Sequence, residues 1–389
     1  MVHQDPDSHP LTPPQTLHEI FPPVQKSHIL NCAFASWHTR YKSITPKART
    51  IPLTPEFLAY LREDGIILPD DEGVSPPAAT TTADSDDEEM SAPSNFPPGE
   101  AEDEEDDEED RARNPTQRFP QLHSQIKQTI AALGGAVTPK LNWSSPKDAL
   151  FMSATHTLEC RTPGDIYLLL KSSDFITHDL EHPFDDTDPS DPTPASSIQY
   201  HLVLRKYFNM NPALEFRTFV AGRRILGISQ RDLNHYAFLG ELKSEIRRLV
   251  VGFFNESLAG FPDGDFVFDC YVEPTAREGG GERGRRVWLV DINPFAPRTD
   301  SALFSWGEIL RLRTQEVEEA DEEVVEVRLL ESGDPEAWGF GTATYSASKL
   351  PRELVEAGVQ GEEAVWEFAR RWKGIMEEIE RGEGEGSET

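Results

Sequence analysis

The sequence predicts an α+β protein with a mainly antiparallel sheet in its second half. Three observations carry this. Apolar residues recur at helical spacing in the early chain. Paired strand-like runs joined by short glycine-bearing connections fill the region after residue 199. An acidic, apolar-poor run separates two stretches of the early part.

In chain order, Leu30, Phe34, Trp37 and Tyr41 fall at intervals of three and four, which predicts an amphipathic helix with Phe34 and Trp37 turned into a core. LTPEFLAYLRED opens another helix, with Thr54 as N-cap and Pro55 at the first helical position. GIILP after it reads as a short strand. Phe119, Leu122, Ile126, Ile130 and Leu133 mark a further helix face, and Gly134 and Gly135 stand where a helix stops. SSPKDALF is a helix or turn, and DIYLLLKSSDF reads as extended, with Lys171 at the end of a buried strand. YHLVLRKYF is a strand, and LEFRTFVAGRRILGISQRD is a hairpin turning at Ala221-Gly222, with Arg223 and Arg224 solvated in the turn. A helix spans SEIRRLVVGFFNESLAG. A second hairpin joins DFVFDCYVE to RRVWLVDINPF across TAREGGGERG. VVEVRLLES is a strand and AVWEFARRWKGIMEEIERG a helix.

The chain of 389 residues carries a formal charge of −32, and Asp70 to Asp110 alone holds eighteen Asp and Glu with no Lys or Arg. Such a run cannot bury enough surface to offset chain entropy, so 70–113 is expected to be a disordered insertion. The acidity also argues against direct nucleic-acid or anionic-membrane binding. Cys32, Cys160 and Cys270 are odd in number and far apart, without metal-ligand spacing, as in a reducing compartment. With no signal-peptide core or membrane-length apolar run, a cytoplasmic or nuclear place is expected, and cytoplasmic is the simpler.

The chemistry concentrates in VWLVDINPF. Asp291 and Asn293, two apart on a strand, project from one face. If the hairpin pairs symmetrically about its loop, Asp269 lies opposite Asp291. Two facing carboxylates repel. A divalent cation would relieve that, and an all-oxygen donor set without His or Cys suits Mg²⁺ completed by water and phosphate. The other reading of Asp291 and Asn293 is an Asx turn before Pro294. Arg217, inside an apolar strand, and Arg231, at the end of its partner, suit bidentate phosphate binding, although Arg217 can equally pair with Glu215. Lys171 needs an anionic partner if it ends a buried strand, Lys140 sits before a Trp, and Lys147 reads as a surface residue. No Walker loop, GxGxxG, GxSxG or HExxH occurs.

Taken together, FPPV…ASWHTRYKS, PKLNWSSPKDA, LLLKSSDFI, LVLRKY, EFRTFV, GISQRD, FVFD and WLVDINPF resemble the cell division cycle protein 123 (D123) family, of the ATP-grasp fold. The resemblance runs from Phe21 to Leu310 and continues more weakly through VRLLES and PRELV. It implies a two-lobed, ATP-grasp-like monomer that binds ATP and Mg²⁺. It also implies an assembly chaperone that grips the gamma subunit of eukaryotic translation initiation factor 2 so that the heterotrimer can form. By motif, Lys140 and Lys171 would contact phosphates, the backbone of Arg205, Lys206 and Tyr207 would line the adenine, and Arg217 and Arg231 would lie on the phosphate side. Asp269, Asp291 and Asn293 would ligate Mg²⁺, and Trp143, Ser145 and Asp174 are further nominees for the ATP site. Asp291 stands where ligases of the fold commonly carry Glu, and SSDFITHDL lacks the glycines of a phosphate-covering loop. Both departures favour ATP-supported assembly without net catalysis over the alternative, an active carboxylate–amine ligase. A purely structural acidic scaffold ranks last.

The expected organisation is an N-terminal helical part (14–69), the acidic insertion (70–113) and the remainder of the first lobe (114–184). A mobile loop (185–198), a C-terminal lobe (199–310), a helix-bearing segment (311–380) and a tail (381–389) complete it.

Overall fold

The fold rests on two sheets, each with its own apolar core. In the computed structural model, residues 21–69, 114–194, 198–274, 285–315 and 325–332 are described. The acidic insertion, the tip of the second hairpin and the C-terminal helix lie outside the described residues.

Helix α1 (Lys26–Cys32) stops at Ala33, whose extended backbone separates it from α2 (Phe34–Tyr41), so the single early helix expected is two. Strand β1 (Ala48–Pro52) leads into α3 (Pro55–Arg62), where the Thr54 side chain accepts from Phe57 N at 3.4 Å, the cap its sequence announces. Residues 66–69 form no strand, contrary to the reading of GIILP. A short α4 (Pro115–Arg118) precedes α5 (Pro120–Ala132). Gly134 and Gly135 then take positive φ values of 100° and 86°, a conformation that favours glycine and ends the helix.

β2 (Val137–Lys140) is followed by a 3₁₀ segment (Lys147–Met152) and α6 (Pro163–Lys171). The DIYLLLK run is therefore helical. Thr162 and Asp165 cap it reciprocally and Pro163 sits at its start. Next come α7 (Asp174–Glu181), β3 (His201–Lys206), the hairpin β4 (Glu215–Ala221) and β5 (Arg224–Gln230), and the long α8 (Ala237–Phe253), which begins earlier than expected. β6 (Phe266–Val272), β7 (Val287–Pro294), α9 (Trp306–Thr314) and β8 (Glu326–Arg328) close the described chain.

One sheet has the order β1-β3-β2 and is antiparallel throughout. The other has the order β7-β6-β4-β5-β8 and is antiparallel except where β8 joins β5. The β4–β5 turn is Gly222-Arg223, both at positive φ (56° and 60°), as a two-residue hairpin turn requires. Arg223 and Arg224 are not merely solvated there: Arg223 donates to the carbonyls of Ala259, Phe261 and Pro262, and Arg224 to that of Leu312.

The core of the five-stranded sheet gathers Phe216, Phe268 and Leu289 with α8 and also with Cys32, Phe34, Trp37 and Tyr41. Residues 26–44, counted from sequence with the first part, thus contribute to the second sheet's core. The other core joins α3, α5 and α6 to Ile51, Leu202 and Leu204. All three cysteines are buried and free. Among the described residues no helix is long and apolar enough to cross a membrane.

The polar stretch expected to be a mobile loop is pinned over most of its described length. Asp188 N donates to Val24 O at 2.8 Å, Lys26 N donates to Asp191 Oδ2 at 2.7 Å, and Lys26 Nζ reaches the carbonyls of Asp191 and Thr193. An Asp side chain that accepts backbone N–H groups orders a turn that composition alone reads as loose.

Candidate functional site

The second hairpin pairs as its arithmetic predicts: Asp269 faces Asp291 across β6 and β7. A bulge follows immediately, between Asp269 and Cys270, and re-aims the strand at that point. The carboxylates do not depend on a metal to relieve their repulsion. Arg217 grips Asp269 bidentately, Nε to Oδ1 at 2.8 Å and Nη2 to Oδ2 at 2.9 Å, and Arg231 Nη1 adds a bond to Oδ2 at 2.6 Å. Arg217 also donates to Asp300 O at 2.6 Å. Its main partner is therefore Asp269, while Glu215 lies 3.7 Å from Arg231. Burial pushes the Asp269 carboxyl up, but the two guanidinium groups outweigh it and hold the group well below the usual carboxylate range.

Asp291 is compensated from the other sheet. Lys140, fully buried at the end of β2, donates to Asp291 Oδ2 at 2.7 Å and also to Trp143 O. Burial lowers the Lys140 pKa, and the charge of Asp291 acts against that shift. Arg205, buried on β3, reaches Val290 O at 3.1 Å and Ser145 Oγ at 3.3 Å, again linking the two sheets.

These groups border a cavity of about 270 Å³ between the sheets. Its lining includes the apolar side chains of Ile29, Trp143, Phe175, Val290 and Ala296. It also includes Asp269, Asp291 and Asn293 with Arg205, Arg217 and Arg231. At the rim, Arg298 Nε meets Asp186 at 3.1 Å. A cavity lined by apolar side chains together with a few charged groups is the usual form of a small-molecule site.

Of the sequence-derived candidates, Trp143, Ser145, Arg205, Arg217, Arg231, Asp269, Asp291 and Asn293 line the cavity, and Lys140 bonds to its Asp291. The other four lie elsewhere. Lys171 ends a helix, where its Nζ donates to the carbonyls of Tyr60 and Glu63, the latter being the C-cap of α3, and packs 4.5 Å from the Tyr60 ring centre. Its anionic partner is thus a helix C-terminus. Asp174 starts α7 and is exposed. The N–H groups of Lys206 and Tyr207 are taken by Lys47 O and Ala136 O.

Among the lining residues that sequence reasoning missed are Lys147, dismissed as a surface residue, and Phe175, His178 and Asp179 of α7. Asp179 accepts from Trp143 N, Ser144 N and Ser144 Oγ, and burial raises its pKa to about 6. Burial lowers His178 to about 4, and its buried Nε2 has no hydrogen-bond partner. Nothing local in FITHDLE marks these residues.

Among the described residues no group of three His, Cys, Asp or Glu is placed to hold a metal. What β6 and β7 offer is two ionisable carboxylates and a carboxamide, with Asn293 Nδ2 3.5 Å from Asp269. That set fits a hard cation such as Mg²⁺, which keeps several ligands from water or a phosphate.

A model of the D123 family matches residues 37–358. The chain belongs to the D123 family. It is 44% identical to a protein of Aspergillus fumigatus named translation initiation factor eIF2 assembly protein, over 92% of this chain and 91% of that one. It is 48% identical to a protein of the same name from Aspergillus niger, over 92% and 90%. A protein of Aspergillus terreus named cell division cycle protein 123 matches at 43% identity over 92% and 91%. Among solved structures, Cdc123 from Schizosaccharomyces pombe is similar with a TM-score of 0.61 and 34% identity, over 80% of this chain and all of that one. The mixed α+β fold with antiparallel sheets is thus shared with a solved member of the family.

Proposed function

We propose that this D123 family member assists assembly of eukaryotic translation initiation factor 2, and that its inter-sheet cavity binds ATP with Mg²⁺. The observation that carries the nucleotide reading is the cavity itself, whose lining combines apolar side chains with the facing pair Asp269 and Asp291 and three arginines. The assembly role rests on the names of relatives at 44% and 48% identity over most of the chain. The gamma subunit is assigned as the partner on the family resemblance of the sequence.

In this reading the apolar side chains of Trp143 and Ile29 pack against the base, and Arg217 and Arg231 orient the phosphates. Asp269, Asp291 and Asn293 supply the oxygen ligands of Mg²⁺, which would neutralise phosphate charge. Lys140 holds Asp291 at the boundary between the sheets. Groups from both sheets contact one ligand, so binding ties the sheets together. A ligand at a hundred times its dissociation constant stabilises the bound state by about 2.7 kcal/mol, with no turnover needed. The partner surface is then held in one shape.

The test is thermal unfolding with and without Mg-ATP, in the natural protein and in Asp291→Ala, together with ADP release and capture of the purified gamma subunit. A rise in Tm that is lost in the variant, with gamma capture and little ADP release, is the expected result. An unchanged Tm would sink the nucleotide reading. Failure to capture gamma would sink the partner, and ADP release stimulated by a small acid or amine would point instead to ligase chemistry.

A further inference from the structure

The turn after β2 carries three groups of the site. Trp143 and Ser145 line the cavity, and Trp143 O accepts the Lys140 ammonium that also binds Asp291. Within the turn a single backbone bond, Leu141 N to Ser144 O at 2.8 Å, closes the chain on itself. Three of its other donors converge on one side chain from another element. Asp179 Oδ2 accepts from Ser144 N at 2.9 Å and Trp143 N at 3.2 Å, and Oδ1 accepts from Ser144 Oγ at 2.7 Å. The Asp179 backbone is fixed in turn, because Tyr200 Oη donates to its carbonyl at 2.9 Å.

This arrangement needs an acceptor at the Oδ2 position. Two N–H donors share that oxygen, while the Ser144 hydroxyl on Oδ1 can donate or accept, so alanine in place of Asp179 would leave both N–H groups without their acceptor. Asp179 is 3% exposed, so its charge is held out of water. Burying a carboxylate costs stability unless its lone pairs are used, and here they are used wholly to fix residues 143 and 144. Burial raises the pKa to about 6, while the bonds from Ser144 and the nearby charge of Lys140 act in the opposite sense. A carboxylate kept at such a cost beside a cavity is the signature of a site group more than of packing.

We propose that Asp179 is the positioning residue of this turn: it sets Trp143 and Ser145 towards the ligand and holds the Trp143 carbonyl that orients Lys140. Its effect on ligand affinity rests on the nucleotide reading above. Its effect on the turn does not.

The experiment compares the natural protein with Asp179→Ala by titration calorimetry with Mg-ATP and by the NMR signals of ¹⁵N-labelled indoles. The Trp143 indole, which donates to Ile29 O at 2.7 Å, reports the turn. The indoles of Trp37 and Trp288, bonded to Cys32 O and Glu273, report the rest of the fold. The expected result is a displaced Trp143 signal, unmoved Trp37 and Trp288 signals, and Mg-ATP affinity weaker by about tenfold or more, the usual effect of losing a hydrogen bond to a charged group. An unmoved Trp143 signal, or all three signals shifting together, overturns the proposal. So does unchanged affinity in a variant whose Trp143 signal has moved. If the natural protein binds no Mg-ATP, the nucleotide reading fails, and the indole signals alone decide the positioning role. Should Asp179→Ala not fold, Ser144→Ala removes only the bond to Oδ1. A displaced Trp143 signal then supports the proposal and an unmoved one overturns it.

Discussion

Lys140 and Asp291 meet at 2.7 Å across the boundary between the two sheets, one at the end of β2 and the other within β7. The lysine side chain is fully buried and the aspartate 17% exposed, so the pair is only slightly screened. Removing one partner leaves the other without its ion-pair partner. Lys140→Met is expected to cost roughly 3 kcal/mol in urea denaturation. The double variant with Asp291→Asn should recover part of that loss, and strictly additive losses would show that the two residues are not coupled.

Asp269 sits between two guanidinium groups, and Asp269→Asn leaves both without their main counter-charge. A loss of about 3–5 kcal/mol is expected. Because the folded-state pKa is depressed, the stabilisation is present above the unfolded-state value and is lost only as pH falls through the folded one. The stability gap between natural protein and variant should therefore stay constant from pH 7 to 5 and narrow below about pH 4.

His178 and Asp179 are neighbours with opposed linkage. Asp179 is raised from 3.8 to about 6, so the folded state binds its proton more tightly and this group's contribution to stability rises as pH falls through about 6 towards 3.8. His178 is lowered from 6.5 to about 4, so the unfolded chain takes its proton first and stability falls over nearly the same window. The two slopes oppose each other. In Asp179→Asn, denaturation midpoints should fall more steeply than in the natural protein between pH 6.5 and 4, and in His178→Gln less steeply. Parallel profiles would contradict both assignments.

Arg328 ties β8 to α9. It pairs with both oxygens of Glu308 at 2.9 Å and lies 4.0 Å from the Phe304 ring centre. The bonds from Arg328 hold Glu308 down to about 2, so the contribution is present above the usual glutamate value and is lost as pH falls from about 4.5 to 2. Arg328→Met is expected to cost about 1 kcal/mol at neutral pH, since both partners are partly exposed. Hydrogen exchange at residues 326–328 should speed up. Unchanged exchange there would show that the strand pairing alone holds β8 in place.

The facing of Asp269 and Asp291 was legible because a hairpin fixes its register by simple arithmetic. The caps of α3 and α5 were legible because Thr54-Pro55 and Gly134-Gly135 act locally. The strand assigned to DIYLLLK failed because a short apolar run has no decisive period. The contrary signal stood just before it, in Thr162-Pro163 and Asp165, a capping box with proline at the first helical position. Lys171 was misplaced along with it. The partners of Arg217 and Lys140, and the whole role of Asp179, depend on which elements meet in space, and no local spacing encodes that.

Helix α2 packs with strands from the far side of the chain: Phe34 and Trp37 share a core with Phe268 and Leu289. A ribosome delivers that aromatic helix early and its covering strands late. Throughout the interval the rings have no sheet to bury them, and contacts so distant in sequence form slowly. During its own synthesis the nascent chain therefore exposes a sticky surface, and it completes its second core only after β7 has emerged.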